Sequence, residues 1–78
     1  METLAFVGER NAALRSLDRN KIEAYARKYG INLPKDEIVF WAGIHKARLQ
    51  ITSFTEEERE VSRRWLKEHG FRESMFAA

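Results

Sequence analysis

The stretch from Phe40 to Leu49 constrains the fold most, because its apolar side chains cover more of a helix than a single neighbour needs. At about 100° per residue, Trp41 and Leu49 lie on one side of such a helix, whereas Phe40 and Ile44 lie on another. A helix with so wide an apolar arc packs on two neighbours, or on one neighbour and a partner. We therefore expect the rest of the chain to be organised around this helix.

The length and the absence of cysteine bound the kind of protein that this chain can be. A chain of 78 residues is expected to form one domain, residues 1–78, with a net stability of roughly 3 to 5 kcal/mol. Without cysteine there is no disulfide and no thiolate zinc site, which is typical of a reducing compartment. The longest apolar run, Ile38 to Ile44, is far shorter than the ~20 residues of a membrane span. We expect a soluble, cytoplasmic protein with no membrane association.

The first two helices are predicted from their end signals. Asp18 suits the N-cap of a helix that runs to Tyr29, and Gly30 suits its left-handed end. Before it, a helix from Glu9 to Ser16 is expected, because a glycine at position 8 costs about 1 kcal/mol inside a helix. A start as early as Thr3 stays open.

Similar signals bound two further helices. Pro34 fits the first turn of a third helix, which we expect from about Lys35 to Gln50. Thr55, with a glutamate three residues later, predicts a capping box for a fourth helix that ends at Gly70.

These helices predict an all-α fold. We expect a small orthogonal bundle of three main helices plus the N-terminal one, packed around Trp41 and Trp65. Residues 1–7 and 73–78 lack periodicity or caps, so they are expected to fray.

The third helix carries a candidate protein interface on its second apolar side. Gly43 lies beside Ala47 on this side, and two small residues one turn apart let another helix approach closely. The simplest interpretation is contact with another helix of the same chain, and the alternative is contact with a partner. The candidate interface residues are Phe40, Gly43, Ile44, Ala47 and Ile51.

The polar residues between the two apolar sides form a candidate buried polar cluster, which consists of Glu37, His45 and Arg48. A buried charge must be paired, so we expect Arg48 to bind a glutamate of another helix and to lay its stem along Trp41. His45 has no second histidine four residues away and no carboxylate at metal-ligand spacing. We interpret the cluster as structural and expect no metal and no cofactor.

No motif indicates an enzyme. The serines stand outside the Gly-x-Ser-x-Gly turn of hydrolases, and no glycine-rich run could bind phosphate. We therefore predict no catalytic residues.

Basic residues offer an alternative interaction surface. They are frequent from Arg10 to Lys28 and again from Arg59 to Arg72, and on one face they would bind phosphates. Interleaved glutamates favour solvated outer faces instead. The candidate nucleic-acid contacts are Arg15, Arg19, Lys28, Arg59, Arg63 and Lys67.

The block Phe40-Trp-Ala-Gly-Ile-His-Lys-Ala-Arg48, followed by Thr55-Glu-Glu-Glu-Arg59 and Ser62-Arg-Arg-Trp-Leu-Lys-Glu-His-Gly70, resembles small uncharacterised proteins encoded by phages and prophages. The resemblance covers about residues 14 to 72 and implies an accessory or host-modulating role, with no activity to carry over. Our leading hypothesis is a non-enzymatic protein-interaction module, and a nucleic-acid-binding accessory protein is the alternative. Self-association through the apolar surplus is a further possibility.

Overall fold

A computed structural model describes residues 2 to 71, with side chains from residue 7 onward. This part of the chain forms four helices and no strand. They are α1 (Glu2–Ser16), α2 (Arg19–Lys28), α3 (Glu37–Gln50) and α4 (Glu56–Glu68). The predicted all-α class is confirmed, and none of these helices is long and apolar enough to cross a membrane.

The contacts divide the chain into two units, Met1–Pro34 and Lys35–Ala78. Helix α1 packs on α2 in the first unit, and α3 packs on α4 in the second. The single domain and the orthogonal packing around the two tryptophans stay predictions. The fraying expected at residues 73–78 concerns residues outside the described part of the chain.

Helix α1 is longer than the sequence indicates. It begins at Glu2 and passes through Gly8, so the expected start at Glu9 is wrong. The fraying expected of residues 1–7 stays a prediction. One glycine costs only about 1 kcal/mol, which the hydrogen bonds of a continuous helix can offset. The helix ends without a glycine: Leu17 has a φ of 51°, and the Ser16 hydroxyl donates to the carbonyl of Ala13 over 2.6 Å.

Helix α2 has the predicted ends. The Asp18 carboxylate accepts from the amides of Asn20 and Lys21 at 2.8 and 3.3 Å, which satisfies two free donors of the first turn. Gly30 adopts the left-handed conformation with a φ of 67°. On its inner face Ile22 is buried.

Helix α3 begins at Glu37, two residues later than predicted. Asp36 is its N-cap and accepts from the Val39 amide at 3.0 Å, so Pro34 lies before the helix rather than in its first turn. The physical reason is that the Asp36 carboxylate can satisfy a free amide, which neither Pro34 nor Lys35 can do.

Helix α4 confirms the capping box. The Thr55 hydroxyl accepts from the Glu58 amide, and the Glu58 carboxylate accepts from the Thr55 amide. Gly70 ends the helix region with a φ of 86°. Where α4 packs on α3, Leu66 of α4 and Ala42 of α3 form a buried cluster. Val61, on the same helix as Leu66, is exposed.

Candidate functional site

A row of stacked rings joins α3 to α4. The His45 ring on α3 stacks with the Trp65 ring on α4, with their centroids 4.7 Å apart and their planes 21° apart. The Trp65 ring also stacks with that of His69, at 3.9 Å and 17°. The Trp41 ring lies 6.2 Å from His45. We call Trp41, His45, Trp65 and His69 the ring stack.

Helical spacing brings these rings together. Trp41 and His45 are four residues apart on α3, so they occupy the same face one turn apart. On α4, Ser62, Trp65 and His69 follow one another at intervals of three and four residues and also share a face. Packing of α3 on α4 then places one polar and aromatic row against the other.

His45 is bonded to a buried serine inside this contact. Its side chain is 3% exposed, and Ser62 is fully buried. The His45 Nδ1 atom lies 2.9 Å from the Ser62 Oγ atom. Since a buried polar group needs a partner, each of these two residues satisfies the other.

The surroundings of His45 keep its ring uncharged. Burial, followed by the nearby Arg48 and His69 side chains, lowers its pKa from 6.5 to about 4. At neutral pH the uncharged imidazole therefore either accepts a hydrogen bond from the Ser62 hydroxyl or donates one to it, depending on its tautomer.

A histidine bonded to a serine is also part of many nucleophilic sites. Here the serine hydroxyl has no exposed surface, so a substrate has no path to it in this structure. The contact instead ties the two helices together. Among the described residues, no three His, Asp or Glu side chains lie close enough to hold a metal ion.

The structure separates the predicted buried polar cluster. His45 and Arg48 are buried, but Glu37 lies exposed at the start of α3. The Arg48 guanidinium lies over the ring of Phe54, 5.5 Å from its centroid, whereas the sequence pointed to Trp41. Phe54 belongs to the connector between α3 and α4 and is itself buried, and a helical wheel cannot show such a residue.

The candidate protein interface is only partly accessible. Phe40 and Ile44 are buried, Ala47 and Ile51 are half-buried, and Gly43 is exposed. Burial of two members narrows the surface that a partner could reach.

Another apolar side chain of α3 extends this surface in their place. Val39, four residues before Gly43, is 54% exposed, whereas Ile38, which is 46% exposed, lies on the opposite side of the helix. A Cβ atom added at Gly43 would meet nothing within 4 Å, so the space above the glycine is open. We call Val39, Gly43 and Ala47, which follow one another at intervals of four residues, the α3 strip.

Several candidate nucleic-acid contacts are engaged by carboxylates. The first unit pairs Arg19 with Glu23 at 3.2 Å and Lys28 with Glu9 at 2.9 Å. In each pair the side chains lie at the surface, and the carboxylate balances the positive charge that would otherwise attract a phosphate.

In the second unit, both candidate arginines also have partners within the fold. Arg63 contacts Glu56 at 2.8 Å and Glu60 at 2.7 Å. The Arg59 Nη2 atom donates to the Ile51 carbonyl at 3.1 Å and so fastens the connector between α3 and α4. Lys67 is exposed on α4, as is Arg15 on α1.

The first unit has a shallow groove between α1 and α2. Its volume is about 350 Å³, and small side chains line it, including Ala12, Ala13 and Ala24. Lys28 lies at this groove and is bound to Glu9, which also accepts from the Tyr29 hydroxyl at 2.9 Å.

The sequence did not reveal the ring stack. The spacing of Trp65 and His69 would have shown two rings on one face of α4, and the same holds for Trp41 and His45 on α3. That these faces meet follows only from the packing of the two helices.

Comparison with known proteins gives no relative: no protein-family model, curated protein or solved structure matches this chain.

Proposed function

We propose that the chain is a non-enzymatic protein-interaction module that binds a partner through the α3 strip. The observation that carries the proposal is the exposure of Val39, which lies one turn before Gly43 on the same face of α3. A small domain depends on burying its large apolar side chains, and Val39 instead forms an exposed apolar surface together with Gly43 and Ala47. Open space above Gly43 lets a partner helix come close to the backbone of α3.

Glycine inside α3 costs about 1 kcal/mol relative to alanine. Contacts within the described part of the chain do not require it, because a Cβ atom at this position would meet nothing within 4 Å. A partner that packs directly on the helix gives the glycine a role.

The experiment is affinity capture with the full chain as bait in extracts of its native host. Wild-type protein is expected to retain a defined protein, and Gly43→Leu and Val39→Ser are expected to lose it. Gly8→Leu is the matched control, since Gly8 is also an exposed helical glycine with open space around it. Circular dichroism checks that each variant is folded. Equal capture by Gly43→Leu and wild type would contradict the proposal.

Nucleic-acid binding is the alternative. Exposure of Arg15 and Lys67 supports it, while the carboxylates bound to Arg19, Lys28 and Arg63 oppose it. Fluorescence anisotropy with labelled DNA and RNA decides, because phosphate contacts weaken steeply as salt rises.

Three finer predictions accompany the proposal: a cytoplasmic location, a phage or prophage origin, and self-association as one form of the interaction. Light scattering at two protein concentrations tests the last of these.

A further inference from the structure

The contact between α3 and α4 has an uncharged titratable ring in its interior. His45 is buried, bonded to Ser62 and stacked on Trp65, and Ser62 is itself fully buried. A proton added to this ring would place a charge where water cannot solvate it.

We propose that His45 makes the packing of α3 on α4 an acid-sensitive switch, in which proton uptake by the buried ring separates the two helices. This inference stands apart from the partner proposed above, because it rests on the interior of the unit and not on the α3 strip.

Two neighbouring basic side chains oppose protonation of the His45 ring. Arg48, one turn further along α3, is buried, and His69 lies at the C-cap of α4 in contact with Trp65. Both lower the pKa of the His45 ring. The face of the Trp65 ring attracts a cation, but this attraction is weaker than the hydration that a buried charge loses.

The direction of the pH dependence follows from linkage. The pKa of His45 is about 4 in the folded chain and 6.5 when the ring is in water, so the unfolded chain binds the proton first. Stability is therefore complete above about pH 6.5 and declines as the pH falls toward 4. From these two values, the ratio of unfolded to folded protein rises roughly 50-fold between pH 7 and pH 4.5.

Opening of this contact would expose apolar surface at Ala42 and Leu66, which are buried against one another at neutral pH. Trp65 would lose the stacked ring of His45 on the other helix, and its fluorescence would report the change.

The test is a series of urea titrations of the full chain between pH 7 and pH 4.5, followed by tryptophan fluorescence and circular dichroism. The wild type is expected to show the roughly 50-fold change in its unfolding constant. His45→Asn keeps a hydrogen-bonding amide near Ser62 and does not titrate, so its change is expected to be below about fivefold. His69→Gln is the matched control and is expected to keep most of the wild-type change.

Equal pH dependence in the wild type and His45→Asn would overturn the proposal. Should His45→Asn fail to fold at pH 7, NMR titration of the His45 ring in the wild type decides. A ring that titrates only as the α3 and α4 signals collapse supports the switch. A ring that titrates at its ordinary pKa of 6.5 in a folded protein refutes it.

Discussion

The two units of the chain use polar side chains in opposite ways. In the α1 and α2 unit, the polar contacts between helices lie at the surface, where Glu9 binds Lys28 and Tyr29. In the α3 and α4 unit, the polar contact of His45 with Ser62 lies in the interior. Water competes for the first kind of contact and is excluded from the second. The second unit should therefore be the more sensitive to acid and to substitutions of its polar residues.

The largest effect is expected from the interior of the second unit. Leu66→Ala should lower the free energy of unfolding by about 2 to 5 kcal/mol, because Leu66 is fully buried and its loss leaves a cavity. Val61→Ala, on the exposed side of the same helix, should change it by less than about 0.5 kcal/mol. Urea denaturation at pH 7 measures both, and similar values for the two variants would contradict the described packing.

A serine substitution in each unit tests the comparison directly. Ser62→Ala should cost about 1 to 3 kcal/mol, because it leaves the buried Nδ1 atom of His45 without its hydroxyl partner. Ser16→Ala removes an exposed hydroxyl at the end of α1, where water can replace it, and should cost clearly less. If urea denaturation shows that the two substitutions lower the free energy of unfolding equally, the proposed difference between the units is wrong.

The helix caps should show no such difference between the units. Thr55→Ala is expected to cost about 0.5 to 2 kcal/mol, since it removes the acceptor for the Glu58 amide. Asp18→Ala should cost a similar amount at the start of α2. Thr55→Ser keeps the hydroxyl and serves as the control, with thermal unfolding as the measurement. If the two alanine substitutions lowered stability by very different amounts, burial alone would not explain the difference between the units.

The smallest effect is expected from the surface pair in the first unit. Glu9→Gln should lower stability less than the cap substitutions do, and the loss should shrink in high salt because exposed charges are screened. Lys28 and Tyr29 hold the pKa of Glu9 below its ordinary value of 4.5. Its contribution is thus present above about pH 4.5 and is lost as the pH falls through the lowered pKa.

A double-mutant cycle of Glu9→Gln and Lys28→Gln isolates this pair from other effects of the two substitutions. A coupling that persists unchanged in high salt would show that the pair is not the exposed contact described above.

Helix ends were largely predictable because their signals are local. Asp18, Thr55, Gly30 and Gly70 act within one turn of their own positions, and all four have the predicted roles. Leu17 shows the limit of this reasoning. It adopts a left-handed conformation that favours glycine, so a pattern of residue types does not predict it.

For the polar residues of α3, the sequence predicted burial but not the contacts that the buried side chains make. The sequence singled out His45 and Arg48 as polar residues on an apolar helix, and both are buried. It assigned Arg48 to Trp41 rather than to Phe54, because the neighbours of a side chain include residues from connectors far along the chain.

The sequence by itself thus determined the all-α class, the caps of α2 and α4, and the wide apolar arc of Phe40 to Leu49. Only the tertiary structure decided which parts of that arc are buried, and that His45 meets Ser62 and Trp65. The reason is physical: caps and helical periodicity act over a few residues, whereas burial depends on which helix faces meet.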